Sequence, residues 1–141
     1  MKNYEERNGV IIWHPEKSVI LTDKIGEGTV IHAPVWIGKD VPIGRNCKVQ
    51  AFAFIPAWVH ISDEVFIGPH VCFTNDKHPP SGGKAWSHTF VGKGVVIGAN
   101  ATILPGINLN PRCIIGAGAV VTKDVPGGVT VVGNPARPMK G

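Results

Sequence analysis

The sequence predicts an all-β fold, a parallel β-helix built from hexapeptide repeats with one protruding loop. Two observations carry the prediction. Aliphatic residues recur at every sixth position over most of the chain, and residues that turn a chain are frequent, with 18 Gly and 12 Pro among 141 residues. A period of six fits neither the 3.6-residue turn of a helix nor the long two-residue alternation of an ordinary strand, and Gly and Pro at this density break helices. Short flat strands separated by corners satisfy it. Three such strands close a triangular coil of about 18 residues with the aliphatic side chains pointing inward.

Along the chain, residues 1–24 lack the period and read as an N-terminal non-repeat segment. From there the aliphatics are Ile25, Ile31, Ile37, Ile43, Val49, Ile55, Ile61 and Ile67, with Phe73 as the next step. After a polar stretch they resume at Val91, Ile97, Ile103, Leu109, Ile115 and Val121. Four positions after each aliphatic comes a small or apolar residue, from Thr29 and Val35 through Cys47 to Val125. The residue directly after the aliphatic is often Gly, as at Gly26, Gly38, Gly68 and Gly98, which reads as conformational freedom at a corner. One repeat domain thus spans 25–137, interrupted by a loop at 74–90 and followed by a tail at 138–141. Pro79-Pro80-Ser81-Gly82-Gly83 marks the loop as thrown out from the prism, and long loops in compact repeats are more often functional than not.

Residues 18 apart are expected to stack. The columns are then Trp36, Phe54 and Cys72; Pro34, Phe52 and His70; and Pro42, His60 and His78. Trp36, Phe52, Phe54, Trp58 and Phe66 face outward in this arrangement, an apolar surface that marks an interface unless residues 1–24 pack over it. The net charge is +4 with no run of five like charges, so no nucleic-acid partner is expected. No stretch of about 18 apolar residues suits a membrane, and the opening Met-Lys-Asn-Tyr-Glu-Glu-Arg lacks the pattern of a signal peptide. Cys47, Cys72 and Cys113 show neither CxxC nor zinc spacing and cannot all pair, which fits reduced thiols in a cytoplasmic protein.

The hexads from Ile25 to Arg137 resemble the left-handed β-helix of the hexapeptide-repeat acyltransferases; the handedness is what the resemblance implies, not what the period shows. Phe66-Ile67-Gly68-Pro69, followed by Phe73-Thr74-Asn75-Asp76-Lys77-His78-Pro79, is similar to the N-acetyltransferases that act on nucleotide-linked amino sugars in lipopolysaccharide and O-antigen biosynthesis. His78 departs from the Tyr or Phe usual there. Together with Thr74 and Pro79 it also resembles the Thr and His-Pro stretch of galactoside and maltose O-acetyltransferases, where the histidine is the general base. The resemblance implies acetyl-CoA as co-substrate, no metal, and a homotrimer with its active site between subunits.

In the N-acetylation reading Asn75 and Asp76 orient the acceptor through amide and carboxylate hydrogen bonds, and His78 assists proton removal. A hydroxyl acceptor needs a base more strictly than an amine does, which makes sugar or serine O-acetylation through His78 the alternative. His60, His70, Trp86 and His88 are candidates for acceptor binding. For coenzyme A the resemblance points to the C-terminal coils. Ala99, Ala117 and Gly118 are small enough for the pantetheine arm to approach the backbone, Thr122 adjoins them, and Lys123 and Arg137 suit the phosphates. Lys93, Arg112 and Lys140 are weaker phosphate candidates. A zinc carbonic anhydrase of the same prism needs three converging histidines, and the closely spaced His pair of that family is absent.

Overall fold

The computed structural model describes residues 3–140; the first two residues of the expected N-terminal segment and Gly141 of the expected tail lie outside the described residues. Short parallel strands form three sheets around one apolar interior, a triangular β-solenoid of the kind the period predicts. The described strands number eighteen, and the only helical element among the described residues is a 3-10 turn at Pro15–Lys17.

The inward aliphatics stack in one ladder per face. On the first face Ile12, Ile31, Val49, Ile67, Ile97, Ile115 and Val131 follow one another in register. On the second, Ile20 pairs with Ile37, Ile37 with Ile55, Phe73 with Ile103 and Ile103 with Val121. The third runs from Ile25 through Ile43, Ile61, Val91 and Leu109 to Val125. Most of these side chains are fully buried, and each coil fixes the next through hydrogen bonds such as Val30 N–H to Cys47 O (3.0 Å) and Phe54 N–H to Val71 O (2.9 Å). The fourth position after the aliphatic is buried too. Where it is polar it is satisfied: the Thr29 hydroxyl donates to Gly44 O at 2.8 Å and accepts from Cys47 N–H at 3.0 Å.

Residues 10–24 lack the period yet form a coil. Val10–Trp13 and Val19–Ile20 pair in parallel with Val30–Ile31 and Trp36–Ile37, and Ile25 bridges to Ile43. Tyr4–Arg7 folds back antiparallel on Val10–Trp13 at one end, and Arg137–Pro138 does the same on Thr130–Val132 at the other. These hairpins cover the first sheet's terminal strands, a need of any solenoid.

The corner glycines play a different part from the one expected. The positive φ falls on the third residue after most inward aliphatics, as at Asp40 (57°), Asn46 (55°), Trp58 (78°) and His70 (62°). Gly26, Gly38, Gly68 and Gly98 are not among the positive-φ residues; they lie where successive coils touch. A Cβ on Gly38 would stand 2.4 Å from Ala57 N, and one on Gly98 2.6 Å from Ala117 N. Gly38→Ala therefore forces two backbones apart, and the expected loss of about 1–3 kcal/mol or more in denaturant unfolding checks the point.

The loop breaks the 18-residue register. Ile61 pairs with Val91 and Phe73 with Ile103, each thirty residues apart, so twelve residues are inserted at the corner between the second and third faces. Twelve is two hexads, which is why the phase survives the interruption. The expected columns Trp36, Phe54, Cys72 and Pro34, Phe52, His70 hold, with Phe52 stacked on His70 at 4.7 Å. The third does not: Phe90, not His78, follows His60.

Candidate active site

The inserted loop is an antiparallel ribbon. Asp76 bridges Trp86, Lys77 N–H donates to Ala85 O at 3.2 Å and Ser87 N–H to Asn75 O at 2.8 Å. Its base is tied to the prism by the Asn75 amide, which donates to Ala57 O at 2.9 Å, and by the Thr74 hydroxyl, which donates to Ile103 O at 3.0 Å. Its tip is closed on the Asp76 carboxylate, which accepts from Ser81 N–H at 2.8 Å and His78 N–H at 3.1 Å. The Ser81 N–H foremost, with further donors from His78 and Trp86, holds the Asp76 carboxyl below its ordinary value. Asn75 and Asp76 thus both build the loop, and His78 stands exposed near its tip.

The loop separates two concavities along the solenoid axis. On its N-terminal side an open groove of about 620 Å³ is lined by Lys24, Lys39, Asp40, Pro42, Ala57, Trp58 and His60 from the first three coils and by Trp86 and His88 from the loop's return limb. On its C-terminal side a pocket of about 360 Å³ is lined by Thr74, Asp76, Lys77 and Pro79 from the loop, and by Leu104, Pro105 and Thr122 from the next two coils.

The groove holds a packed aromatic cluster. His88 stacks on Trp58 (4.4 Å, 14°), His60 stacks on Phe90 (4.6 Å, 12°), and Trp86 meets Trp58 edge-on at 6.0 Å. His60 Nε2 and His88 Nδ1 are 2.8 Å apart. Burial, and secondarily the neighbouring His88, lowers the pKa of His60 below the usual histidine value, so His60 stays neutral at neutral pH. Trp58 occupies at φ 78° the same left-handed corner that Asp40 and His70 take in other coils, and this aims its side chain outward into the groove.

Of the expected acceptor residues the structure brings His60, Trp86 and His88 together and leaves His70 at a different corner, against Phe52. Of the expected coenzyme A residues, Thr122 lines the C-terminal pocket and Lys123 is exposed beside it. Ala99 and Ala117 lie at the corner between the first and second faces, where Gly118 N–H donates to Ala99 O at 2.8 Å and the space a Gly118 side chain would fill is open. Exposed Arg137 lies on the terminal strand, and its guanidinium donates to Ala136 O at 3.0 Å. Lys24, Lys39 and the role of Trp58 were not singled out from the sequence. Their signal is positional: Lys39 and Trp58 sit at the corner from which the loop departs, Lys39 two coils before it and Trp58 one. Among the described residues no group of three His, Cys, Asp or Glu comes together to hold a metal ion, and no helix is long and apolar enough to cross a membrane.

A parallel solenoid of stacked hexads with one corner loop and flanking clefts is the architecture of a hexapeptide-repeat transferase. Residues 88–123 match the bacterial transferase hexapeptide family (six repeats). The chain is 33% identical over 123 residues to the galactoside O-acetyltransferase of Escherichia coli, covering 80% of this chain and 61% of that protein. It is 30% identical over 135 residues to a putative acetyltransferase of Saccharomyces cerevisiae, covering 86% and 69%. A variant of GDP-perosamine N-acetyltransferase from Caulobacter crescentus, solved with coenzyme A and GDP-perosamine, superposes with a TM-score of 0.74 at 25% identity, covering 88% of this chain and 54% of that one. The chain belongs to the hexapeptide-repeat transferase family. It spans about three fifths of the E. coli relative's length.

Proposed function

We propose that the protein transfers the acetyl group of acetyl-CoA to the amino group of a nucleotide-linked amino deoxysugar, with the acceptor in the N-terminal groove and the donor reaching the loop from its C-terminal side. The observation that carries this reading is the groove's lining. Two partly exposed indoles offer apolar surface for a base or a pyranose, Lys24 and Lys39 offer charge for a diphosphate, and a histidine pair lies between the Trp58 and Phe90 rings. A simple galactoside carries no anion for the two lysines to meet. The solved relative with GDP-perosamine and coenzyme A bound supports the same pairing of substrates.

In this reading coenzyme A runs along the C-terminal coils past Ala99, Ala117 and Gly118, with Thr122 at the loop and Lys123 and Arg137 toward its phosphates. Asn75 and Asp76 serve the acceptor by fixing the loop that carries Trp86 and His88. Trp36, Phe52 and Phe54, each at least 41% exposed, form the apolar stripe through which copies associate as a homotrimer. Three free cysteines suit a reducing, cytoplasmic setting. Burial pushes the Cys113 thiol up to about 11, which keeps it inert.

Sugar O-acetylation with His78 as base is the second reading, favoured by the identity to the galactoside enzyme. Acetyl-CoA turnover against nucleotide-linked 3-amino and 4-amino sugars, galactosides, maltose and serine separates the two. Release of coenzyme A only with nucleotide-linked amines is expected; turnover on hydroxyl acceptors alone would overturn the proposal.

A further inference from the structure

Two neutral imidazoles 2.8 Å apart share one proton, and the way they share it decides what the groove can do. If His60 Nε2 donates, His88 carries its proton on Nε2 and presents no lone pair to a substrate. If His88 Nδ1 donates to His60 Nε2, His88 Nε2 is a free lone pair. The surroundings favour the second arrangement. His60 is the less exposed ring, flat against Phe90, and its environment disfavours a positive charge. The more exposed His88 has its ring flat on Trp58, whose π face stabilises an imidazolium. The other charged groups lining the groove are Lys24, Lys39 and Asp40, and Lys24 and Asp40 approach one another at 4.0 Å.

We infer that His88 is the catalytic base of the acetyl transfer proposed above and that His60 is its positioning residue, holding the Nδ1–H tautomer of His88 as a carboxylate does in other histidine bases. The inference rests on the proposed reaction and assigns its proton path. The neutral acceptor amine attacks the thioester carbonyl carbon and a C–N bond forms. The nitrogen gives one proton to His88 Nε2, and the cation is shared with His60 Nε2 through the Nδ1–H. The C–S bond then breaks, the thiolate takes the proton from His88 Nε2, and the pair returns to its neutral state. Protonation of the pair in the free enzyme blocks the path, so kcat/KM falls on the acid side. The lowered pKa of His60 keeps it neutral as the acceptor of the His88 Nδ1–H, so replacing His60 removes that acceptor and is expected to displace this fall.

The test uses the full chain. In ¹⁵N spectra of the histidine rings at neutral pH, His88 is expected to carry its proton on Nδ1 and His60 its own on Nδ1, a readout that needs no substrate. His88→Ala is expected to lower kcat by roughly 10²–10⁴-fold with acetyl-CoA and a nucleotide-linked amino sugar. His60→Leu is expected to cost less than His88→Ala and to displace the acid limb, while His60→Gln, which keeps an acceptor for the Nδ1–H, restores most of the rate. A His88 protonated on Nε2, a His88→Ala enzyme within threefold of the parent, or a larger loss at His78→Ala would each overturn the assignment. If the parent acetylates none of the amines, the proposed reaction fails and the ring spectra alone decide whether the pair has the inferred tautomer.

Discussion

Lys24→Ala/Lys39→Ala is expected to raise KM for a nucleotide-linked amino sugar by roughly 10- to 100-fold while kcat and the KM for acetyl-CoA change little. Both lysines line the groove on the N-terminal side of the loop, and neither lines the pocket on its C-terminal side. An ammonium beside a phosphate oxygen contributes about 1.5–3 kcal/mol when sheltered, and less where water screens it. Lys24 also lies 4.0 Å from Asp40, a solvent-exposed pair worth little by itself, so the protein loses little stability with it. Two further readings of the same variant are diagnostic. The parent's KM should climb with added salt and the variant's should not, and an acceptor lacking the nucleotide should bind both proteins alike. A variant that loses affinity for acetyl-CoA instead would place the donor, not the acceptor, in this groove.

Phe73→Ala is expected to lower the unfolding free energy by about 3–5 kcal/mol, the largest single-site effect on stability in the prism. Phe73 is the largest fully buried side chain among the described residues. It stands in a ladder otherwise built from Ile and Val, pairs with Ile103 in the next coil, and is the last inward residue before the loop departs. Truncation leaves a cavity that the rigid backbone above and below cannot close. Because Thr74 and Asn75 follow directly and tie the loop to Ile103 and Ala57, the same variant should loosen the loop and become more sensitive to proteolysis there. Urea unfolding with parallel limited proteolysis checks both effects.

The solenoid was legible because the inward ladder demands one aliphatic per hexad on every face, a constraint that shows directly in Ile25 through Val121. What the period does not constrain was harder to read. The first coil is hidden because Ile12 to Ile31 and Ile20 to Ile37 are spaced 19 and 17 residues, so its members fall off the count although they stack like the rest. The loop is disguised by its own length, since an insertion of two hexads leaves the phase intact. That disguise put His78 over His60 in the expected column, whereas the register places Phe90 there and brings His88 to His60.

The glycines are a second case in which a right residue had a different physical cause. Gly38 and Gly98 avoid a Cβ pressed into the next coil's backbone, while the left-handed corner residue two places later tolerates Asp, Asn, His and even Trp. Side chains at that corner are aimed outward regardless of their chemistry. This is how Trp58 and Asp40 come to line a groove. No periodicity marks them, and their place emerges only once the corner from which the loop departs is known.

The position of the acceptor relative to the loop decides between the two readings. A crystal structure with coenzyme A and a nucleotide-linked amino sugar bound tests this most directly. The sugar is expected in the groove against Trp58 and Trp86, with its amino nitrogen within hydrogen-bond reach of His88 Nε2 and its phosphates toward Lys24 and Lys39, and coenzyme A is expected past Thr122 on the other side. An acceptor seated on the C-terminal side of the loop, or an amine held by His78 away from the histidine pair, would contradict it.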